Sequence, residues 1–286
     1  MNLTRRVGGR AISPIGIGGA RWSLTDHPDE ERALATLHAA LDAGVTLVDT
    51  APAYTPPAPL GISHNETLVA RGLAAHPRGA AVTVATKGGH YRDAGGFPID
   101  ARPATLHRQC RESLAALGVD RIPLYLLHWP DPRVPVAESV GALAELRAQG
   151  LVEHVGVCNV DLVQLLAACG ETRIDAVQNR FGAPAAGAAP DGPVLDECTA
   201  RGIAYLAYSP FGGPAGAAAE LPGFAAVAAA HGETRHAVVI AWLLARSPVL
   251  VPIVGAGRPA SVESAVRGTT LALTAGELDL LTKEAT

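Results

Sequence analysis

Residues 15–49 read IGIGGARWSLTDHPDEERALATLHAALDAGVTLVD. A short apolar run, Ile15–Gly18, precedes a helical pattern at 29–44 and a second apolar run, Thr46–Asp49. The helical stretch opens on acidic residues, carries one apolar face and closes on Gly44, so its start and stop are both marked. Strand, helix, strand is the unit of a parallel sheet, because parallel neighbours need a crossover between them. Whether such a sheet stays open or closes depends here on the glycines. GIGGA at 16–20 lacks the GxGxxG spacing of a dinucleotide loop, and no acidic residue follows where one would meet a ribose. The stretch therefore argues against an open, doubly wound sheet.

The same unit repeats outward. Val82–Lys87, Leu124–His128, Val155–Asn159, Asp175–Asn179, Ile203–Tyr208 and Val249–Val254 are further candidate strands. Helical patterns cover 63–74, 105–118, 136–150, 161–170, 194–201 and 235–247, and Ser63 followed by Glu66 reads as a capping box. Strands apolar on both faces suit a parallel sheet covered by helices. Eight units in 286 residues predict an α/β fold of the (β/α)8 TIM-barrel type, a parallel eight-stranded barrel ringed by helices, with 1–286 as one domain. The opening LTRRVGGRAIS, with glycines at its turn, predicts a short hairpin closing the barrel floor.

Composition narrows the class. The chain is 48% hydrophobic with a formal charge of −4, and its mixed charges form no basic stripe for nucleic acid. No apolar run reaches the length of a membrane span, and MNLTRRVGGR lacks the apolar segment of a secretory signal. The expectation is a soluble, cytoplasmic protein acting on a small molecule, with no nucleic-acid or membrane partner. Cys110, Cys158, Cys169 and Cys198 contain no close pair, so neither a redox CxxC nor a zinc knuckle is present.

Proline- and glycine-rich stretches follow several strands, at 55–61, 90–103, 183–193 and 212–223. In a barrel they emerge at the C-terminal face, where such folds place their chemistry. Polar residues recur at that edge: Asp49 in VDT, Lys87 in VATKGG, His128 in LLHWPDP, with Tyr54 in the loop after Asp49. A barrel brings these strand ends to one mouth. There an ammonium beside a phenol stabilises phenolate and lowers its pKa from about 10. A carboxylate fixes the lysine, and an imidazole can orient a carbonyl oxygen. This is the polar half of a carbonyl reduction, and the hydride must come from a cofactor. Taken singly, Asp49 is equally a turn cap, His128 a packed structural histidine and Tyr54 an ordinary half-buried aromatic.

VDTAPAY, VATKGG and LLHWPDP resemble the catalytic segments of the aldo-keto reductase superfamily. VGVCN at 155–159, VQNRF at 177–181, AYSPFGG at 207–213 and VPIVGAGRP at 251–259 extend the match over nearly the whole chain. The resemblance implies a barrel that binds NADP(H), less often NAD(H), without a Rossmann domain, and that acts as a monomer. It implies that Tyr54 protonates the carbonyl oxygen, Lys87 and Asp49 tune its acidity, and His128 orients the substrate. Cys158, Asn159 and Gln178 would flank the nicotinamide carboxamide, and Tyr208 would stack on its ring. Ser209, Pro210, Phe211 and Gly212 would approach the pyrophosphate, while Gly255, Ala256, Gly257 and Arg258 would meet the adenosine phosphate. No metal is implied.

The chain departs from the family pattern in places. Cys158 stands where a serine commonly precedes the asparagine, and His64–Asn65 are additional residues before Glu66. Ser261, Ser264 and Ala265 replace the basic residue and the Glu-Asn pair that hold the 2′-phosphate and adenine in many members, which leaves Arg258 for that phosphate. Trp22, Tyr91 and Trp129, with Phe211, are the expected pocket wall. His90, Tyr91, Arg92 and Asp93 offer polar contacts to a hydroxylated ligand. The expected function is reduction of an aldehyde or ketone. The alternatives are an NAD-dependent aldose dehydrogenase and, in another class, a cofactor-sensing barrel subunit without turnover.

Overall fold

The computed structural model describes residues 3–57, 63–93, 96–183, 192–213 and 221–285. Parts of all four Pro/Gly-rich loops lie outside the described residues. The chain opens with a two-stranded antiparallel hairpin, β1 (Arg5–Val7) and β2 (Arg10–Ile12), turned by Gly8 and Gly9 at φ 55° and 92°. Such positive φ values favour glycine, which has no Cβ to clash.

Eight parallel strands then close a barrel: β3 (Gly16–Gly18), β4 (Leu47–Asp49), β5 (Thr83–Gly88), β6 (Ile122–Leu127), β7 (Val152–Cys158), β8 (Ala176–Arg180), β9 (Ala204–Tyr208) and β10 (Leu250–Val254), the last pairing back onto β3. Around them, among the described residues, run α1 (Ala20–Ser23), α2 (Glu30–Asp42), α3 (His64–Ala74), α4 (Pro103–Leu117), α5 (Val136–Ala148), α6 (Leu162–Glu171), α7 (Gly192–Arg201), α8 (Pro222–His231), α9 (Arg235–Arg246), α10 (Pro259–Gly268) and α11 (Ala275–Ala285). All eight expected strands are present, and so is the hairpin.

Three differences have physical causes. β6 starts at Ile122, two residues early, because the parallel register passes from Ile122 to Leu124 and asks no ladder bond of Pro123. α8 and α10 each carry proline in the first turn, a residue that reads as loop punctuation but suits a helix start. The expected Ser63–Glu66 capping box is absent. Ser63 is left-handed at φ 63° and makes no side-chain cap bond, while buried Glu66 turns to accept from Thr86 Oγ1 at 2.6 Å. Packing of α3 against the outer face of β5 wins over local capping.

Side chains alternate along each strand, so one set fills the barrel and the other packs beneath the helices. Leu47, Ala85, Leu124, Leu126, Ala176 and Leu206 belong to the interior cluster, joined by Val7 and Ile12 of the hairpin. Val48, Val84, Tyr125, Leu127 and Val177 join the larger outer cluster, or its buried surroundings. The hairpin closes the floor as expected. Buried Arg5 secures it by donating to the carbonyls of Leu250 (3.0 Å), Leu244 (2.9 Å) and Ser247 (3.3 Å).

Candidate active site

The alternation that buries Leu47, Ala85 and Ala176 decides what stands two residues further on. Asp49, Lys87 and Gln178 therefore face inward, at the C-terminal end of the interior. There they meet. Lys87 Nζ donates to Asp49 Oδ1 at 2.7 Å, to the Thr50 carbonyl at 2.9 Å and to Tyr54 Oη at 3.1 Å. Gln178 Nε2 donates to the same Asp49 oxygen at 2.7 Å. Lys87 is wholly buried and Asp49 nearly so. Tyr54 is held by backbone bonds on both sides, its N–H to Ala51 and its carbonyl from Asn65 N–H. The Thr50 carbonyl is a lysine ligand that no side-chain pattern announces.

Burial sets the acidities here. It pushes the Tyr54 phenol above its ordinary range, and the Lys87 ammonium opposes this without overcoming it. The expectation that lysine lowers the phenol is therefore half met: the contact exists, but desolvation is larger, and Tyr54 is held in its neutral, proton-carrying form. For Lys87, burial works against the charge, yet the facing Asp49 and Tyr54 outweigh it and hold the ammonium. His128 packs edge-on to Tyr54 with ring centroids 5.7 Å apart. Burial, then Lys87, then His90 depress its basicity well below the usual histidine range, so it is a neutral imidazole.

The next sector is equally wired. Asn159, at φ 57°, donates from Nδ2 to the His128 carbonyl at 2.9 Å and accepts from Tyr208 Oη at 2.8 Å. Cys158 Sγ lies 3.8 Å from Gln178 Oε1. Asn159 and Gln178 thus sit at the mouth with hydrogen bonds already in use. Past β9, Ser209 is left-handed and Gly212 and Gly213 have φ 83°, which turns this loop sharply; Arg180 Nη2 donates to the Gly212 carbonyl at 2.9 Å. Pro210 abuts Gly182, and Phe211 meets the His236 ring at 4.6 Å. Past β10, Gly255 has no side chain, and a Cβ there would meet the Arg21 stem at 3.4 Å. Ala256 accepts from buried Trp22 Nε1 at 2.8 Å, while Gly257 and Arg258 are exposed. Among the described residues neither Arg21 nor Arg258 has an ion-pair partner. A sharply turned glycine loop past β9, and a second glycine-containing loop past β10 beside these two guanidinium groups, suit a ligand carrying phosphates.

Trp22 straps α1 to the loop after β10, whereas Tyr91 and Trp129 are exposed on the opposite rim with His90 and Phe97. The additional residues His64 and Asn65 have a structural task. Asn65 accepts from Thr50 Oγ1 and donates to the Gly19 carbonyl and Ser23 Oγ, and His64 reaches Ser23 Oγ and Glu30. Arg21 was legible only as the residue before Trp22; its approach to Gly255 comes from barrel closure.

Residues 14–284 match the model of the aldo/keto reductase family. The chain belongs to that family. Aldo/keto reductases are oxidoreductases, and this one resembles members with different named activities. The 6-dehydroglucose reductase of Novosphingobium aromaticivorans is 32% identical over 277 residues, covering 89% of this chain and 85% of the relative. The pyridoxine 4-dehydrogenase of Escherichia coli is 30% identical over 264 residues, covering 88% and 87%. In fold, this aldo/keto reductase matches a Klebsiella pneumoniae aldo-keto reductase in complex with NADPH, with a TM-score of 0.82, 24% identity and coverage of 100% and 95%. Among the described residues no helix is long and apolar enough to cross a membrane.

Proposed function

We propose that the chain interconverts an aldehyde or ketone and its alcohol, using a nicotinamide cofactor, with Tyr54 as the proton carrier. The observation that carries this is the contact of the buried Lys87 ammonium with both Asp49 and Tyr54 Oη, at 2.7 and 3.1 Å. When bound, the cofactor supplies or accepts the hydride at the carbonyl carbon. The chain supplies the rest. Tyr54 Oη gives its proton to the carbonyl oxygen as that oxygen gains charge. The phenolate left behind is stabilised by Lys87, whose charge Asp49 holds in place. His128, neutral, donates a hydrogen bond that sets the carbonyl beside Tyr54. In the oxidative direction the Tyr54 phenolate takes the alcohol proton.

Asn159, Gln178 and Tyr208 are proposed to hold the nicotinamide end, exchanging their internal bonds for its carboxamide. The Ser209–Gly212 loop and Gly255–Arg258 would hold the phosphates. The NADPH-bound neighbour and exposed Arg258 support NADP(H). One observation favours the second reading, an NAD-dependent aldose dehydrogenase. Ser264 is turned inward to Thr234 Oγ1 at 2.5 Å and Ala265 is buried, so neither meets an adenosine phosphate.

The test is a binding titration with NADPH and NADH, followed by turnover of carbonyl and aldose panels by wild type and Tyr54→Phe. Cofactor binding kept and turnover lowered by roughly 100- to 10,000-fold in Tyr54→Phe is the expected result. Preference for NAD⁺ with aldose oxidation selects the dehydrogenase. Binding without any wild-type turnover would instead identify a cofactor-sensing subunit.

A further inference from the structure

We infer that Asn65 and His64 are positioning residues for Tyr54, and that the bond on which this depends is the one His64 Nδ1 accepts from Ser23 Oγ. Both act through their neighbours rather than at the reacting atoms. The inference rests on the function proposed above, in which Tyr54 carries the proton.

The first N–H groups of a helix have no partner within it. At the start of α3 they hold the loop that carries Tyr54. Ser63 N–H donates to the Pro52 carbonyl at 3.3 Å, and Asn65 N–H to the Tyr54 carbonyl at 3.2 Å. The wholly buried Asn65 side chain makes further bonds at 2.8 Å. Its Oδ1 accepts from Thr50 Oγ1, and its Nδ2 donates to the Gly19 carbonyl and to Ser23 Oγ. Thr50 is also the residue whose carbonyl receives Lys87 Nζ at 2.9 Å. One residue thus grips the 50–54 segment at both ends and joins it to α1. A Cβ at position 19 would lie 2.3 Å from Asn65 Oδ1, so glycine is what admits this amide.

Donors and acceptors in this network fix one another from both ends. A carbonyl only accepts, so the Asn65 amide turns its nitrogen to Gly19 and its oxygen to Thr50. Ser23 Oγ then receives a proton from Asn65 Nδ2, and its own proton goes to His64 Nδ1 at 2.9 Å. Nδ1 is therefore bare and Nε2 carries the ring proton. At the outer end Nε2 faces Glu30 Oε1 at 3.1 Å. Arg71 donates to the other oxygen of that carboxylate at 2.6 Å and holds Glu30 below the ordinary carboxylate range, so Glu30 is an acceptor only. Both ends require the same tautomer. Ser23 is wholly buried. Without a bare Nδ1 its hydroxyl would be left unpaired, at the expense of Asn65 and of the segment Asn65 holds.

The experiment has a spectroscopic and a kinetic readout. Nitrogen-15 spectra of histidine-labelled protein, recorded more than a unit above the ordinary histidine value of about 6.5, should show the His64 proton on Nε2, with the signal identified by its loss in His64→Asn. His64→Asn keeps an oxygen where Nδ1 accepts, whereas His64→Gln keeps an N–H where Nε2 donates. His64→Gln should lower kcat for carbonyl reduction roughly 10-fold at saturating cofactor, with KM nearly unchanged, and His64→Asn should recover most of that loss. A merely structural role would lower the urea midpoint of both variants and leave kcat alone below the transition. Equal kcat in the two variants, or a proton on His64 Nδ1, would overturn the inference and leave the proposed function standing. A wild type that reduces no carbonyl would overturn the proposed function and with it the role of His64, while the spectra would still show whether the bonds run as described.

Discussion

Asp49 and Lys87 show how one buried charge depends on another. Taking two ions out of water costs several kcal/mol each, and their attraction offsets it only while both are present. Asp49→Asn keeps an oxygen for Lys87 Nζ and Gln178 Nε2 but removes the countercharge. It should cost about 3–5 kcal/mol of stability in urea unfolding. The double variant with Lys87→Met should be more stable than Asp49→Asn alone; a double variant equally unstable would mean that the lysine charge is not the cause. The neighbouring histidine carries a pH consequence. Because burial and Lys87 hold His128 neutral to well below its ordinary range, and Tyr54 keeps its proton to well above its own, kcat/KM for carbonyl reduction should be flat between about pH 6.5 and 9, within the ordinary values of the two groups. A limb near pH 6.5 that disappears in a His128 variant would contradict this. These residues were legible at strand ends. The Thr50 carbonyl and the dominance of desolvation at Tyr54 were not, since both depend on what surrounds the side chain.

Helix α3 was placed correctly, but its first turn was misread. Ser63 and Glu66 have the spacing of a capping box, yet Glu66 is wholly buried and bonded to Thr86. Burial raises its pKa above the ordinary carboxylate value, and hydrogen bonds from neighbouring hydroxyls only moderate this. The folded state therefore binds the Glu66 proton more tightly than the unfolded state. That stabilisation is complete below the unfolded value, near pH 4.3, and is lost as pH rises through the folded one. Glu66→Gln mimics the protonated form and removes the loss. Its melting temperature relative to wild type should be higher at pH 8 than at pH 5. A difference independent of pH would show that Glu66 titrates alike in both states. The proline-led helices α8 and α10 were illegible for a related reason. A proline is a loop signal by itself, and only the chain that follows makes it the first turn of a helix.

Arg5 belongs to the closure of the whole barrel. Its guanidinium joins the hairpin to the end of α9 and to the start of β10, elements some 240 positions away in sequence, through carbonyls of residues 244, 247 and 250. Arg5→Ala should cost about 2–3 kcal/mol, from lost bonds to a charged group. The urea midpoint should fall with the slope unchanged. Because Arg5 lies at the floor and Tyr54 at the mouth, kcat/KM should stay at the wild-type value. A change in substrate kinetics without a change in midpoint would argue against this division.

The sequence by itself determined the alternation of strands and helices, and with it the barrel, because hydrophobic period and helix stop signals are local properties. It also placed Asp49, Lys87 and His128 at strand ends, since strand length can be counted along the chain. The tertiary structure alone decided which groups touch. Interior alternation brought Gln178 onto Asp49 across 129 positions, barrel closure set Arg21 against Gly255, and packing of the loop after β5 set His90 against His128. These contacts join strands distant in sequence, and exclusion of water from between them fixes the acidities. No local pattern encodes either.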